Sequence, residues 1–196
     1  MIEPALALVD FSSIASGIEA ADAMVKRAPI DTIRAGTVQP GRYLVLIGGA
    51  VADVEESLSA GREVGGTSVL DHVFLPNVHP GVVEAITGSR VPDRTDAIGV
   101  VETRTAAAAI QAADAGLKSA GVRLVEIRLA DGLGGKGIVF YSGTVADVEI
   151  AVETGVGALD RPDLLIQRVI IPQLHAEMWD NVSAATPFVQ RTGGLG

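Results

Sequence analysis

An internal repeat constrains the fold of this chain more than any other feature of its sequence. ALALVDFSSIASGIEAADAMVKRA at residues 5–28 returns as AIGVVETRTAAAAIQAADAGLKSA at residues 97–120, an offset of 92. VADVE at 51–55 returns at 145–149, an offset of 94, and LPNVH at 75–79 returns as IPQLH at 171–175, an offset of 96. VADVE and PxxH are not products of alanine-rich composition. Three matched blocks in one order therefore indicate a tandem duplication of a single unit.

Each copy predicts the element order β-α-β-β-α-β. In copy one, Ser12 or Ser13 is placed to cap the first helix, and Gln-Pro-Gly separates two strands of a hairpin. Val51, Val54 and Leu58 share one face of the second helix. The predicted segments of copy one are 5–11, a helix through 20–26, 32–38, 42–47, 50–65, 69–75 and a short helix over 81–86. Those of copy two are 98–102, 106–119, 124–129, 138–141, 145–158 and 165–171. This order predicts an α+β fold, a tandem duplication of a ferredoxin-like domain.

The domain boundary is predicted from a polar stretch between the two copies. GSRVPDRTD at residues 88–96 carries proline, glycine and charge, which is typical of a linker. The expected division is a first domain at 1–90, a second at 91–182 and a tail at 183–196. The tail ends in RTGGLG, and we expect it to be mobile.

Composition excludes several classes of function. The formal net charge is −9 and no basic stripe occurs, which argues against nucleic-acid binding. Cysteine is absent, which excludes thiolate nucleophiles and zinc–thiolate sites on this chain. The N-terminus resembles no secretory signal, and no apolar stretch is long enough to span a membrane. A mean hydropathy of +0.38 without a membrane span therefore predicts large buried contacts between proteins.

The ordered, duplicated motifs resemble one known family. A strand, AADAMVK, a glycine-containing hairpin, VADVE and PxxH together resemble the shell domain of bacterial microcompartments. Two copies in one chain resemble the tandem class, in particular the shell proteins of propanediol-utilisation compartments, to which LPNVH and MWDNV (178–182) are similar. The resemblance implies a non-catalytic homotrimer that looks like a hexamer, lies in the cytoplasm and tiles a shell with other shell proteins.

The resemblance also implies that the hairpin loops gather at the symmetry axis and line a pore. The expected pore-lining residues are Val38, Gln39, Pro40 and Gly41 of copy one, with Leu133, Gly134, Gly135 and Lys136 of copy two beside them. Related chains of the propanediol type carry at the position of Gln39 a cysteine associated with an iron–sulfur cluster. Since an amide is not a usual ligand of such clusters, we expect no cofactor here and a neutral pore for small polar metabolites. Lys136 is a candidate to bind an anion near this pore.

The remaining repeated residues are assigned to the edge of the tile by the same resemblance. The expected edge residues are Lys26, Lys118, Asn77, His79, Gln173 and His175. A solvated lysine at a helix C-terminus is the alternative for the two lysines. The family often has an arginine where Asn77 and Gln173 stand, so tiling contacts are expected to differ. The histidines lack a second ligand at helical spacing, so no metal site is expected. Asp22 and Asp114 are each expected to be a structural hydrogen-bond acceptor or an interface residue.

Two other functions are compatible with the sequence. Tandem ferredoxin-like domains also bind small molecules, so a regulatory protein with a ligand cleft between its domains is the alternative. An enzyme is the weakest candidate, because the chain has three histidines, no cysteine and no order of residues typical of a catalytic triad.

Overall fold

The structure is a computed structural model, and it describes residues 5–88 and 96–183. Copy one comprises β1 (Ala5–Phe11), α1 (Ile14–Arg27), β2 (Thr32–Val38), β3 (Arg42–Gly49), α2 (Val51–Gly65), β4 (Val69–Leu75) and α3 (Pro80–Ile86). Copy two comprises β5 (Ala97–Thr103), α4 (Ala106–Ser119), β6 (Arg123–Leu129), β7 (Gly137–Gly143), α5 (Val145–Gly157), β8 (Leu165–Pro172) and α6 (Ala176–Ser183). Most of the predicted linker and nearly all of the predicted tail lie outside the described residues.

The four strands of each copy form one antiparallel sheet. The strand orders are β2-β3-β1-β4 and β6-β7-β5-β8, so the two copies share one topology. Ala5 pairs with Gly49 and Ala97 pairs with Gly143, which gives both sheets the same register. This arrangement confirms the predicted α+β fold, with its first and third strands in the centre of the sheet.

Local signals explain where the helices begin. The side chain of Ser13 accepts a hydrogen bond from the Ser16 amide at the start of α1, as one of the two predicted caps. Thr105 does the same for Ala108 at the start of α4. The prediction for α2 was wrong at one position, because Val51 is exposed while Val54 and Leu58 are buried. Val51 lies in the first turn, before the helix reaches the sheet.

The two helices of copy one pack on one face of its sheet. Phe11, Met24, Val45, Ile47 and Val54 form the centre of this core with alanines of β1 and α1. Small residues let the helices approach closely: a Cβ at Gly61 would lie 2.5 Å from Met24 Sδ. A core with few aromatic residues is thus filled by close contact of backbones.

The opposite face of each sheet carries the short helix that follows its last strand. In copy two, Trp179 of α6 packs against Ile98, Val125 and Phe140. Helix α6 was not among the predicted elements, although its offset of 96 from α3 marks it as the repeat of that helix. Within the described residues, the helices are too short or too polar to cross a membrane.

Candidate functional site

The two copies meet along a surface that we call the joint. It is formed by β4 and α3 of copy one against α4 and β6 of copy two. Apolar side chains from both copies fill it as part of one continuous cluster. The cluster includes Leu75, Val78 and Val82 of copy one and Leu117, Val122 and Leu124 of copy two. A Cβ at Gly81 would lie 3.2 Å from Leu117 Cδ1, so glycine permits close packing here.

Polar contacts fix the register of the joint. The His79 amide donates to Asp114 Oδ1 at 2.8 Å. Lys118 Nζ donates to the Asn77 carbonyl at 2.5 Å and to Asp114 Oδ2 at 2.6 Å. Asp114 is buried, so these bonds replace water that it has lost. It is therefore a structural acceptor, as expected from the sequence.

A second polar contact crosses the joint at the start of α4. Thr105 Oγ1 donates to Asp71 Oδ2 at 2.5 Å, while the same oxygen accepts from the Ala108 amide. Thr105 thus caps its own helix and binds β4 of the other copy. The sequence analysis did not identify this residue, although Ser13 marks the same position in copy one.

Several buried residues of the joint have exposed equivalents elsewhere in the repeat. Ile110 is fully buried, whereas Ile18, its equivalent on α1, is 53% exposed. Val82 is fully buried, whereas Met178, its equivalent on α6, is 51% exposed. The same contrast holds for Ile14 with Ala106, Val25 with Leu117 and Ile33 with Leu124. Two surfaces equivalent to the two halves of the joint therefore remain open, one on each copy.

The predicted edge residues divide between the joint and these open surfaces. Asn77, His79 and Lys118 lie in the joint, and His79 Nδ1 also accepts from the Gly81 amide at 3.1 Å. On the open surface of copy one, Lys26 Nζ lies 2.5 Å from Asp22 Oδ2, and both side chains are exposed. On the open surface of copy two are Gln173 and His175; the Gln173 amide donates to the Asp96 carbonyl and the His175 carbonyl accepts from Trp179.

The predicted pore residues lie in two loops at the same end of the two sheets. In copy one, Val38 ends β2, the Gly41 amide donates to the Val38 carbonyl at 3.0 Å, and the Gln39–Pro40 peptide bond is cis. In copy two, Leu133, Gly134, Gly135 and Lys136 belong to a longer loop. Gly134 and Gly135 have positive φ values of 62° and 87°, which favour glycine.

One arginine that the sequence analysis missed connects the two loops. Arg42, next to Gly41, has Nη1 3.2 Å from Asp10 Oδ2 and 3.2 Å from the Gly135 carbonyl oxygen. Asp10 is fully buried at the end of β1. Burial raises the pKa of Asp10 to about 6, while the Arg42 guanidinium opposes this shift and Asp71 adds to it.

The same ion pair is repeated in copy two with different residues. Lys136, equivalent to Arg42, has Nζ 2.9 Å from Oε1 of Glu102, the equivalent of Asp10. Both side chains are partly exposed, so this pair is screened by water. A charge pair conserved between the two copies was the signal in the sequence that would have identified Arg42 and Asp10.

An open cavity of about 710 Å³ lies between the copies on the helical face. It is lined by charged and polar side chains, among them Arg62, His72, Asp160 and Arg161. Burial and the nearby Arg62 lower the pKa of His72. Among residues 5–88 and 96–183, no three His, Asp or Glu side chains are grouped closely enough to hold a metal ion.

Comparison with known proteins gives a consistent result. The BMC domain family matches residues 5–78 and again residues 97–174. The chain is 38% identical to bacterial microcompartment shell protein PduT of Citrobacter freundii, over 89% of this chain and 95% of that protein. It is 29% identical to carboxysome assembly protein CcmO of a Synechocystis strain, over 98% of this chain and 69% of that protein.

A solved structure agrees with the family match. The crystal structure of a microcompartment protein of Desulfitobacterium hafniense superposes with a TM-score of 0.78 at 45% identity, covering 89% of this chain and 97% of that one. The resemblance inferred from the repeated motifs is thereby confirmed. The chain belongs to the BMC-domain family of bacterial microcompartment shell proteins and carries the domain twice.

Proposed function

We propose that this chain is a non-catalytic structural subunit of a bacterial microcompartment shell in the cytoplasm, and that it works as a ring of three chains. The observation that carries the proposal is the contrast between the closed joint and its two open repeats. Ile18 and Met178 are apolar and exposed, while their equivalents Ile110 and Val82 are fully buried within the chain. Contact between the open surfaces of successive chains removes this apolar area from water.

The contact between chains is expected to copy the contact within the chain. Asp22 accepts from the amide of His175 of the partner subunit, as Asp114 does from His79. Lys26 donates to the carbonyl of Gln173 of the partner subunit, as Lys118 does to Asn77. Such a head-to-tail contact joins two different surfaces, so it continues from chain to chain and ends only when a ring closes. Six similar copies close the ring when three chains are present.

The ring places the loops of the two copies alternately around one axis. Three Gln39 side chains then offer neutral donors and acceptors. Lys136 and Arg42 stand near them, each beside a carboxylate of its own copy. We propose that this opening passes small polar metabolites. We also propose that the ring contacts other shell proteins at its rim, where the side chains of Lys26 and Lys118 are partly exposed.

A small-molecule-binding regulatory protein remains the second candidate, on the basis of the cavity beside His72. That cavity is wide open, and its lining is charged rather than apolar. Typical ligand pockets bury most of their ligand against apolar walls, so the cavity supports this function less well. An assembled ring distinguishes the two candidates, since a regulatory monomer or dimer requires none.

The test of the ring is the mass of the protein in solution, measured by light scattering and sedimentation. The wild-type chain is expected at the mass of three chains. Ile18→Asp puts a charge on the open surface of α1 and is expected to give single chains. Val51→Asp is the matched control, because Val51 is exposed and its equivalent Val145 is exposed as well. A wild-type monomer, or an Ile18→Asp variant that stays trimeric, contradicts the proposal.

The position of the pore is tested by cross-linking. Because the chain has no cysteine, Gln39→Cys gives one thiol in each chain. A bis-maleimide cross-linker that spans about 10 Å reaches farther than a disulfide bond. It is expected to link two chains of an intact ring. Ala52→Cys, at the opposite end of β3 from the hairpin, is the control and is expected to stay unlinked. An intact ring in which Cys at position 39 never links would refute the pore assignment.

A further inference from the structure

Arg42 connects the two predicted pore loops. Among the described residues, it is the only one beside either loop whose side chain is hydrogen-bonded to the backbone of the other loop. It is the first residue of β3 and follows Gly41 directly. Its Nη1 lies 3.2 Å from Asp10 Oδ2 and 3.2 Å from the Gly135 carbonyl oxygen. One guanidinium therefore ties the sheet of copy one to the glycine-rich loop of copy two.

The contact between Arg42 and the loop is close. A Cβ built at Gly135 would lie 2.7 Å from both Cζ and Nη1 of Arg42. The backbone of Gly135 also has a φ of +87°, which side-chain-bearing residues rarely adopt. Glycine is needed here both for the turn and for the guanidinium that rests on it.

Asp10 holds the arginine in this position. Its carboxylate is fully buried, and Oδ1 has no hydrogen-bond partner among the described residues. Arg42 thus supplies the charge that compensates a buried and incompletely solvated carboxylate. The ion pair in turn orients the guanidinium toward Gly135, since one nitrogen serves both acceptors.

We propose that Arg42 positions the copy-two loop at the lip of the pore and that this clamp holds only while Asp10 is ionised. The clamp is a feature of the single chain, whereas its effect on a pore rests on the function proposed above. In mild acid the copy-two loop loses its contact with Arg42 and becomes more mobile at the edge of the pore, while the copy-one hairpin keeps its conformation.

The groups around Asp10 are consistent with its protonation in mild acid. Arg42 faces it from β3 and Asp71 faces it from β4. From copy two, α4 contributes the uncharged Thr105 hydroxyl, which binds Asp71, and the loop contributes Lys136, which is paired with Glu102. Burial raises the pKa of Asp10 to about 6, so its proton is taken up between neutral and mildly acidic pH.

The sign of the effect on stability separates local loosening from unfolding. A carboxyl group with a raised pKa in the fold binds its proton more tightly there than in the unfolded chain. Protonation of Asp10 below pH 6 therefore adds to the free energy of unfolding. Loss of the ion pair frees the guanidinium but does not weaken the fold as a whole.

Copy two provides the internal control. Its Lys136–Glu102 pair occupies the equivalent positions, but both side chains are partly exposed. Gly41, the equivalent of Gly135, has open space where a Cβ would be. Among the described residues the clamp is therefore present once, where the end of β3 meets the copy-two loop, and Glu102 does not bind Arg42.

The test is hydrogen–deuterium exchange of the full chain between pH 5 and pH 7.5, corrected for the intrinsic exchange rate. The amides of Ala130, Leu133 and Gly135 are hydrogen-bonded within the loop, so their exchange reports its opening. In wild type, their corrected exchange rates are expected to rise about tenfold between pH 7.5 and pH 5. This rise corresponds to the loss of one charge-assisted hydrogen bond, the one from Arg42 to the Gly135 carbonyl.

Asp10→Asn is expected to show the fast rate at every pH. Glu102→Gln removes the partner of Lys136 in the same loop, so its rates are offset from those of wild type, but it is expected to keep the wild-type pH dependence.

Arg42→Lys keeps both charges but cannot bridge the two acceptors in the same way, so it covers the case in which Asp10→Asn does not fold. It is expected to show fast, pH-independent exchange of the loop. A wild-type loop with no pH dependence, or an Arg42→Lys loop identical to wild type, would overturn the proposal. The mass of the protein, measured on the same samples, distinguishes the clamp from the ring. A trimer whose loop exchange does not depend on pH refutes the clamp alone. A single chain whose loop exchange does depend on pH refutes the ring alone.

Discussion

At the scale of single residues, the duplication provides the same side chain in two environments. Asp114 lies in the joint and accepts from His79 and Lys118, whereas Asp22 binds only the exposed Lys26 within the described chain. The chemistry of the two positions is identical, so differences in the effect of mutation report the environment. Asp114 acts within the chain, and Asp22 is expected to act between chains.

Asp114→Ala and Asp22→Ala test this difference. In the monomeric Ile18→Asp background, Asp114→Ala is expected to lower the free energy of unfolding by about 2 kcal/mol, because it leaves the partly buried His79 amide without its acceptor. Asp22→Ala is expected to change it by less than about 0.5 kcal/mol, as is usual for an exposed pair. In the trimeric background, Asp22→Ala is expected to weaken association about tenfold. Urea titration and sedimentation measure the two effects, and equal losses on unfolding would contradict the assignment.

At the scale of the elements, the sequence predicted most strands and helices well, but it did not predict helix α6 or the contacts between the two copies. The bounds of α4 were predicted correctly at 106–119, because its alanine-rich body and the following glycine are local signals. Helix α6 was missed because its eight residues carry no strong local signal and depend on Trp179 packing against the sheet.

The burial of α4 and the exposure of α1 could not be read from their sequences. Both helices carry AADA, a lysine and apolar side chains at the same positions, so their hydrophobic patterns agree. The difference arises from the connection between the copies, which brings β4 to α4 and leaves the outer face of α1 without a neighbour from the other copy. Asp10 and Arg42 were missed for a similar reason: a charged residue at the end of a strand looks solvated until the second copy covers it.

At the scale of the whole molecule, one buried cluster spans the two copies, beside the separate core between the helices and the sheet of copy one. Leu6, Leu8 and Val73 of copy one belong to the same buried cluster as Ile110 and Leu124 of copy two. Separation of the copies exposes this cluster to water, at a cost of roughly 25 cal/mol for each Å² of apolar surface. Neither copy is therefore complete without its neighbour, although each has its own sheet.

We expect the chain to unfold in one cooperative transition for this reason. Trp179, the only tryptophan, is buried in copy two, so its emission reports that copy. Exchange of amides in the peptide Ala5–Phe11 reports copy one. In the monomeric Ile18→Asp background, both signals are expected to change at the same urea concentration. A peptide that stays protected after the tryptophan is exposed would mean two independent domains. Coincident transitions would mean that the joint holds the two copies together as one cooperative unit.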